Sequence, residues 1–463
     1  MFGRVLVANR GEIAVRVMRT CRRLGIETVA VYSDADATAP HVRLADQAVR
    51  LGPPQVRDSY LNVDAIVKAV RDTGARAVHP GYGLLSENAE FARRIAETGA
   101  TFVGPSPAAL DAFGDKIKAR AVARSVGVEP PPGTNGAIDP SDPSTLRRAV
   151  ESIGLPVLVK AAGGGGGIGM QIVRDASEIE RAARACSDRG RAAFNDARVY
   201  VERYVDSPRH IEVQVLRDRL GNAVALPERE CSVQRRHQKI IEESPSPAAF
   251  FQGPDGEARR KRLRSDALRI IEAADYEGAG TVEFVAAASG DLYFLEVNAR
   301  LQVEHPITEM ITGLDLVELQ LRIALGEPLP EGARNLAPTG HAIEARIYAE
   351  DPAKGFVPQP GRIERLVWPS LGNGVRIDSG IEEGGEVTPF YDPMIAKVIA
   401  HGSDRAQAVA RLHAALAATD LGLVGPKGPR ATNLSFLQTV LEDERFTRGA
   451  YDTSLAESVV RGA

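Results

Sequence analysis

The chain has 463 residues, with 57 basic against 61 acidic side chains, and its formal net charge of −4 offers no global field for nucleic acid. Three cysteines, Cys21, Cys186 and Cys231, lie far apart in sequence, which excludes a CxxC zinc site or a disulfide framework and suits a reducing cytoplasm. The N-terminus "MFGRVLVANRGE" lacks a signal-peptide pattern and no apolar run reaches membrane-spanning length, so no membrane partner is expected.

About three domains are expected at this length. "VLVAN" reads as a buried strand, Ile13, Val17, Cys21 and Leu24 recur at helical spacing, and "GIETVAVYS" is the next strand. "LNVDAIVKAVRDTG" predicts a helix stopped by Gly74, followed by strand "RAVH", then "SENAEFARRIAETG" and "TFVGP". This alternation predicts an open, mostly parallel, Rossmann-like α/β unit over residues 1–114. Its first turn reads Asn9-Arg10-Gly11-Glu12 and not GxGxxG, which disfavours a dinucleotide. "GVEPPPGTNGAIDPSDPS" (127–144) predicts a boundary. A small unit surrounds the glycines that follow, and from Tyr204 strands dominate: "HIEVQVL", "GNAVALPE", "GTVEFVAAA", "LYFLEVN". "ARRKRLR" (258–264) reads as the solvated face of a helix. A last segment, about 336–447, runs from alternating "HAIEARIYAE" to helical "RAQAVARLHAALAAT", leaving 448–463 as a tail.

"KAAGGGGGIGM" lies between two strand patterns and lacks the Lys-Ser/Thr of a P-loop, so it predicts a glycine-rich hairpin tip. Backbone N–H groups without Cβ atoms can wrap a polyphosphate, but composition alone leaves a slack surface loop equally open. In "GTVEFVAAASGDLYFLEVNARLQVEHP", a turn centred on Ser289-Gly290 would place Glu283 opposite Glu296. Like charges directly opposite are destabilising, so a cation is expected between them. With Asn298 on the same face, the set suits Mg²⁺ or a similar hard ion carrying a nucleotide phosphate. Glu304 follows Arg300 in an irregular stretch closed by Pro306, where it reads as a base toward a small anion or as an ion pair. Gln234, Arg235, Arg236, His237 and Lys239 crowd one stretch without stacking aromatics, which favours an anion site over nucleic acid. His210, Glu212 and Gln214 share one strand face, and Arg346 is a candidate oxyanion partner.

"ANRGEIAVRV", "HPGYGLLSENAEF", "FGDK", "KAAGGGGGIGM", "ERECSVQRRHQK", "EVNARLQVEHPITE" and "GHAIEARIYAEDP" occur in the order and spacing of biotin carboxylases. The chain resembles that family from about residue 2 to 447. The resemblance implies an ATP-grasp fold over 115–335, with a mobile lid at about 132–204 and a β-rich C-terminal domain over 336–447. It implies a ligase in which ATP phosphorylates bicarbonate to carboxyphosphate, which then carboxylates N1 of biotin. Lys116, Lys160, Glu202, His210, Gln234 and His237 would surround ATP. Arg203, Tyr204 and Val205 would continue the adenine hinge from Glu202, and Gly166 and Gly167 would close over the phosphates. Glu283, Glu296 and Asn298 would hold Mg²⁺ or Mn²⁺. Lys239, Arg300, Gln302 and Val303 would hold bicarbonate, with Glu304 as general base. Arg346 would stabilise the enolate-like ureido oxygen of biotin, with Tyr82 lining that pocket.

Most members carry Arg or Lys where Ile168 stands, and Ala345 replaces a common cysteine beside Arg346. "LVGPKGPRATN" is a few residues longer than the usual link. None of the five methionines adjoins a lysine, so biotin is expected on a carrier protein or on a part of the protein outside this sequence. The resemblance also implies a carboxyltransferase component, as in acetyl-CoA carboxylase of fatty acid biosynthesis, another acyl-CoA carboxylase or pyruvate carboxylase. It further implies a homodimer, to which Arg16 and Arg19 are candidate contributors. An ATP-grasp ligase with another acceptor, or a regulator that has lost catalysis, are the alternatives.

Overall fold

The computed structural model describes residues 1–163, 169–334, 336–370, 372 and 374–462, so Gly166, Gly167 and Ile168 lie outside the described residues. The N-terminal strands are β1 (Arg4–Val7), β2 (Glu27–Ser33), β3 (Gln47–Gly52), β4 (Ala77–His79) and β5 (Thr101–Phe102). They form a parallel sheet ordered β3-β2-β1-β4-β5. Helices cover both faces, which is why β1 reads as a continuous apolar run. Helix Gly11–Arg23 buries Ile13, Val17 and Cys21. Helix Val63–Thr73 begins where the Asn62 side chain accepts from Ala65 N and stops at Gly74, whose φ of +64° is left-handed.

The glycine stretch joins β6 (Val157–Ala161) to β7 (Met170–Val173), antiparallel with Lys160 opposite Met170. With β8 (Val199–Arg203) they form a sheet ordered β7-β6-β8, packed on helices Pro143–Ile153 and Ile179–Phe194 over a core of its own. The Pro- and Gly-rich stretch before it does more than mark a boundary. Gly133 and Ile138 bridge to Glu202 and Val199 on β8, and Ile138 is buried in that core.

One eight-stranded antiparallel sheet holds the remaining site elements. Its members are β9 (Arg209–Arg217), β10 (Ala223–Arg235), β11 (Gln238–Ser244), β12 (Gly278–Ala286), β13 (Leu292–Asn298), β14 (His341–Tyr348), β15 (Val375–Ser379) and β16 (Met394–Gly402). The order is β13-β12-β9-β10-β11-β14-β16-β15, so the ladder crosses from residues 209–298 into residues 341–402 at β11–β14. Ile211, Val213 and Val215 of β9 face Leu263, Ala267 and Ile270 of helix Gly256–Ala273 in the main core. The opposite face of β9 carries His210, Glu212 and Gln214, as the period of two predicts. The run 258–264 is helical, but Arg260 is not merely solvated: its Nε donates to Glu228 at 2.8 Å.

Residues after 447 are packed and do not form a loose tail. Leu455 and Ala456 are buried, and Thr453 N donates to Pro208 O at 3.1 Å. Tyr451 Oη donates to Glu243 Oε1 at 2.5 Å. Glu243 also accepts from Arg405 Nε at 2.7 Å and lies 2.6 Å from His341 Nε2, tying β11, β14, helix Arg405–Ala417 and the C-terminal residues together. Arg16, a candidate for a subunit interface, is instead buried and spent within the chain, on Glu309 Oε1 at 2.7 Å and Asp315 Oδ1 at 2.9 Å.

Burial alone would raise the Glu243 carboxyl, but His341 and Arg405 outweigh it and bring it from 4.5 down to about 2. A carboxyl lowered by folding contributes stability above its unfolded value, and that contribution is lost as pH falls toward the folded one. Replacing Glu243 with alanine takes the carboxylate from His341 and from the half-buried Arg405, so urea denaturation at neutral pH should show a loss of about 3 kcal/mol. The gap to the wild type should narrow as the pH falls from 4.5 toward 2.

Candidate active site

Three glutamates stand abreast across the sheet. Glu296 on β13 is the Cα partner of Glu283 on β12, Glu283 that of Glu212 on β9, and Glu212 that of Arg229 on β10. The first pairing arises differently from the sequence expectation. The hairpin tip is a three-residue loop, closed by Ala287 N to Asp291 O at 2.9 Å with Gly290 at φ +85°, and not a two-residue Ser289-Gly290 turn. An extra residue, Leu295, then bulges from β13 between the Phe284–Phe294 and Glu283–Glu296 pairs and restores the glutamates to opposition.

Cations close this row from several sides. Lys239 Nζ donates to Glu212 Oε2 at 2.5 Å, Glu283 Oε1 at 2.8 Å and Glu304 Oε1 at 2.7 Å. Lys116 Nζ pairs with Glu296 Oε2 at 2.6 Å, and His210 Nε2 lies 2.9 Å from Glu283 Oε2. Arg229 is fully buried and spends all five N–H donors: Nε on Glu212, Nη1 on Gln214 (2.9 Å) and Thr308 (3.0 Å), Nη2 on Thr281 (3.1 Å) and Gln302 (2.9 Å). Gln302, oriented by that bond, donates through Nε2 to Glu283 Oε1 at 2.8 Å.

Glu304 bridges Lys239 and Arg346, whose Nη2 lies 2.9 Å from Glu304 Oε2. Burial alone would raise the Glu304 carboxyl, but Lys239, Arg346 and Arg229 hold it well below the ordinary carboxylate range. It is the residue preceding helix His305–Thr312, where the helix N-terminus also favours a negative charge. Pro306 therefore opens a helix, and does not close an irregular stretch. Lys397 Nζ donates to Val303 O at 2.7 Å and reaches Glu12 Oε1 at 3.2 Å, while Tyr82 Oη donates to Glu12. Arg300 is held by Glu87 Oε2 at 2.9 Å and by Asn298 Oδ1 at 2.9 Å.

On the β7-β6-β8 sheet, Lys160 Nζ donates to Glu202 Oε1 at 3.1 Å, and Arg120 holds the other oxygen of Glu202. Gln234 Nε2 lies 3.0 Å from His210 Nδ1. Arg236 and His237 form the two-residue turn between β10 and β11, both at positive φ (+47° and +64°). Non-glycine residues in that region cost of the order of 1–3 kcal/mol each, and here the strain projects His237 into the cavity. That cavity, of about 1030 Å³, is lined by every described residue to which the family resemblance gave a catalytic or ligand-binding role, whereas Glu212, Gln214, Arg235 and Arg236 do not line it.

Sequence reasoning missed Glu12, Glu87, Arg120, Arg229 and Lys397 as site groups. The usable signal for Arg229 was a run of charges, Glu228-Arg229-Glu230, inside a strand between the apolar Ala223–Leu226 and Cys231. Glu12, Glu87 and Lys397 are brought in by separate elements, and no spacing marks them.

The β6–β7 pair with Lys160 on it, sharing one cavity with a sheet lined by glutamates, lysines and a bridging carboxylate, defines an ATP-grasp enzyme. Family models match along the chain: Biotin carboxylase, N-terminal domain at 1–110, Carbamoyl-phosphate synthase L chain, ATP binding domain at 115–332, and Biotin carboxylase C-terminal domain at 344–458. The Biotin carboxylase of Halalkalibacterium halodurans is 46% identical over 454 residues, 98% of this chain and 97% of that one. The mitochondrial propionyl-CoA carboxylase alpha chain of Mus musculus is 45% identical over 459 residues, 99% of this chain but 62% of that one. The biotin carboxylase domain dimer of the Hydrogenobacter thermophilus 2-oxoglutarate carboxylase, solved with MgADP, ADP and bicarbonate, superposes with a TM-score of 0.92 at 41% identity, covering 99% of both chains. The chain belongs to the biotin carboxylase family of ATP-dependent ligases. Among the described residues no helix is long and apolar enough to cross a membrane.

Lysine at position 229 would keep the charge but could not deliver donors to Glu212, Gln214, Thr308, Thr281 and Gln302 together. Arg229→Lys should cost roughly 2–4 kcal/mol in chemical denaturation, with several buried polar groups left unpaired.

Proposed function

We propose that this chain catalyses ATP- and bicarbonate-dependent carboxylation of N1 of biotin, presented by a carrier protein or domain. The observation that carries this is Glu304, an ionised carboxylate set between Lys239 and Arg346 in the cavity that also holds Lys116 and Lys160. Bicarbonate fits beside Lys239, Arg300, Gln302 and the backbone of Val303, where Glu304 takes its proton. Bicarbonate entering there draws Lys239 and Arg346 from Glu304, and the carboxylate becomes a stronger base as it loses them. The bicarbonate oxygen then attacks the terminal phosphate of ATP, the bond to the β-phosphate oxygen breaks, and carboxyphosphate and ADP result.

Lys116 and Lys160, which pair with Glu296 and Glu202, would turn to the nucleotide phosphates, with Glu202 to Val205, His210, Gln234 and His237 around the rest of ATP. Glu283, Glu296 and Asn298 would hold magnesium, which when bound supplies positive charge to the phosphates. The donor set fits: the opposed carboxylates of Glu283 and Glu296 and the amide oxygen of Asn298 are hard oxygen ligands. Arg346 stabilises the enolate-like ureido oxygen of biotin while the phosphate released from carboxyphosphate takes the N1 proton. Water exclusion and fixed cations favour that charge development.

The complete set of Lys239, Glu304 and Arg346 in one cavity argues against a regulator that has lost catalysis. The acyl acceptor, whether acetyl-CoA, another acyl-CoA or a keto acid, is chosen by a separate carboxyltransferase component. A homodimer is the expected assembly, and three buried, unpaired cysteines suit the cytoplasm.

ATP hydrolysis should require bicarbonate and rise on adding free biotin; no stimulation at any biotin concentration would sink the proposal. Glu304→Ala should lower turnover by about 10²–10⁴-fold while ATP binding, measured by calorimetry, survives.

A further inference from the structure

A second pair of like charges faces itself one strand pair further along the sheet. Glu242 on β11 and Glu344 on β14 are Cα partners and both side chains are fully buried. Arg346, two residues beyond Glu344, reaches Glu242 Oε1 at 2.5 Å with the same nitrogen that meets Glu304. Neither carboxyl oxygen of Glu344 has a hydrogen-bond partner among the described residues.

The charged neighbours on every packed element are already committed. Lys397 on β16 serves Glu12 and Val303, and Lys239 on β11 serves Glu212, Glu283 and Glu304. On helix His305–Thr312, Glu309 is paired with Arg16 and Arg376, and burial holds His305 well below its ordinary range, so it is neutral. Asp378 on β15 is bound by Arg376, and Tyr82 is bound to Glu12. An ionised carboxylate with no exposed surface and no donor is too costly to persist, so Glu344 carries a proton.

We propose that Glu242 and Glu344 form a one-proton carboxyl pair whose single negative charge holds Arg346 in place against Glu304, making Glu344 a positioning residue for the biotin subsite. This rests on the function proposed for the same site. Burial raises both groups: Glu242 is pushed up to about 7, against the pull of Arg346, and Glu344 is raised well above its ordinary value, against the pull of Lys397. Buried carboxyls on residues paired directly across two strands titrate as a pair. Losing the shared proton leaves two negative charges facing each other, which draws Arg346 toward β11 and away from biotin. The biotin KM of the wild type should therefore climb in alkaline buffer.

Infrared difference spectra between mildly acidic and alkaline buffer read the proton directly. The wild type should show a protonated-carboxyl C=O band that disappears in alkali, and Glu344→Gln should lack it. That variant, with a neutral amide in place, should also keep a low biotin KM through the alkaline range. A Glu344→Gln protein that retains both the band and the wild-type pH profile would overturn the proposal. Glu242→Gln gives an independent reading. With an amide opposite it, Glu344 should hold its proton into alkali, and the biotin KM should rise about tenfold as Arg346 loses a buried partner. A band lost as in the wild type, or an equal rise in the KM for ATP, counts against the pair. Absence of biotin-dependent turnover in the wild type would remove the proposed function alone, because the infrared band still decides whether the pair shares a proton.

Discussion

The row Glu296–Glu283–Glu212–Arg229 is the constraint around which the site is organised. Adjacent carboxylates across a sheet repel, and burial deepens the penalty because little water remains to screen them. Each neighbouring cation is explained by that repulsion. Arg229 neutralises the row from within, Lys239 spans it from β11, and Lys116 caps it at β13. An arrangement that accumulates negative charge and leaves oxygen ligands in reach of a cavity is prepared for a metal cation with a polyanion. The same charges keep Lys239 protonated, since Glu212, Glu283 and Glu304 more than offset the effect of burial on it.

The consequences run outward through orientation. Arg229 fixes Gln302 and Thr308, which sit just before and just after the start of helix His305–Thr312, so the segment bearing Glu304 is anchored at two points. Lys397, from a different part of the chain, grips the carbonyl of Val303 between them. Glu87 does the same for Arg300 from the N-terminal unit, also accepting from Ala299 N at 2.9 Å. Three parts of the chain thus converge on one short irregular segment.

Much of this was legible in the sequence where the period of two applies. The polar face of β9, the apolar face of β14 and the helix stop at Gly74 follow from local pattern alone. Glu283 and Glu296 were matched correctly only because a longer turn and a bulge at Leu295 offset one another, and no local rule predicts a bulge. Pro306 illustrates a different ambiguity: the same residue closes an irregular stretch or opens a helix, and tertiary packing of Ile307 and Ile311 decides. Arg229 and Lys397 were opaque because their meaning lies in partners from distant segments. The residues after 447 read only as a tail, yet Tyr451 donates to Glu243.

The continuity of the ladder at β11–β14 bears on how the chain can be divided. Ile241 to Ser244 pair with Ala345 back to Ala342, so cutting the polypeptide near residue 335 would strip β11 of its neighbour. The exposed row of N–H and C=O groups, flanked by Ile240 and Ile241, would be a template for aggregation. The boundary that sequence families draw between ATP-binding and C-terminal domains is thus a seam in evolutionary bookkeeping and not a line along which the folded molecule separates.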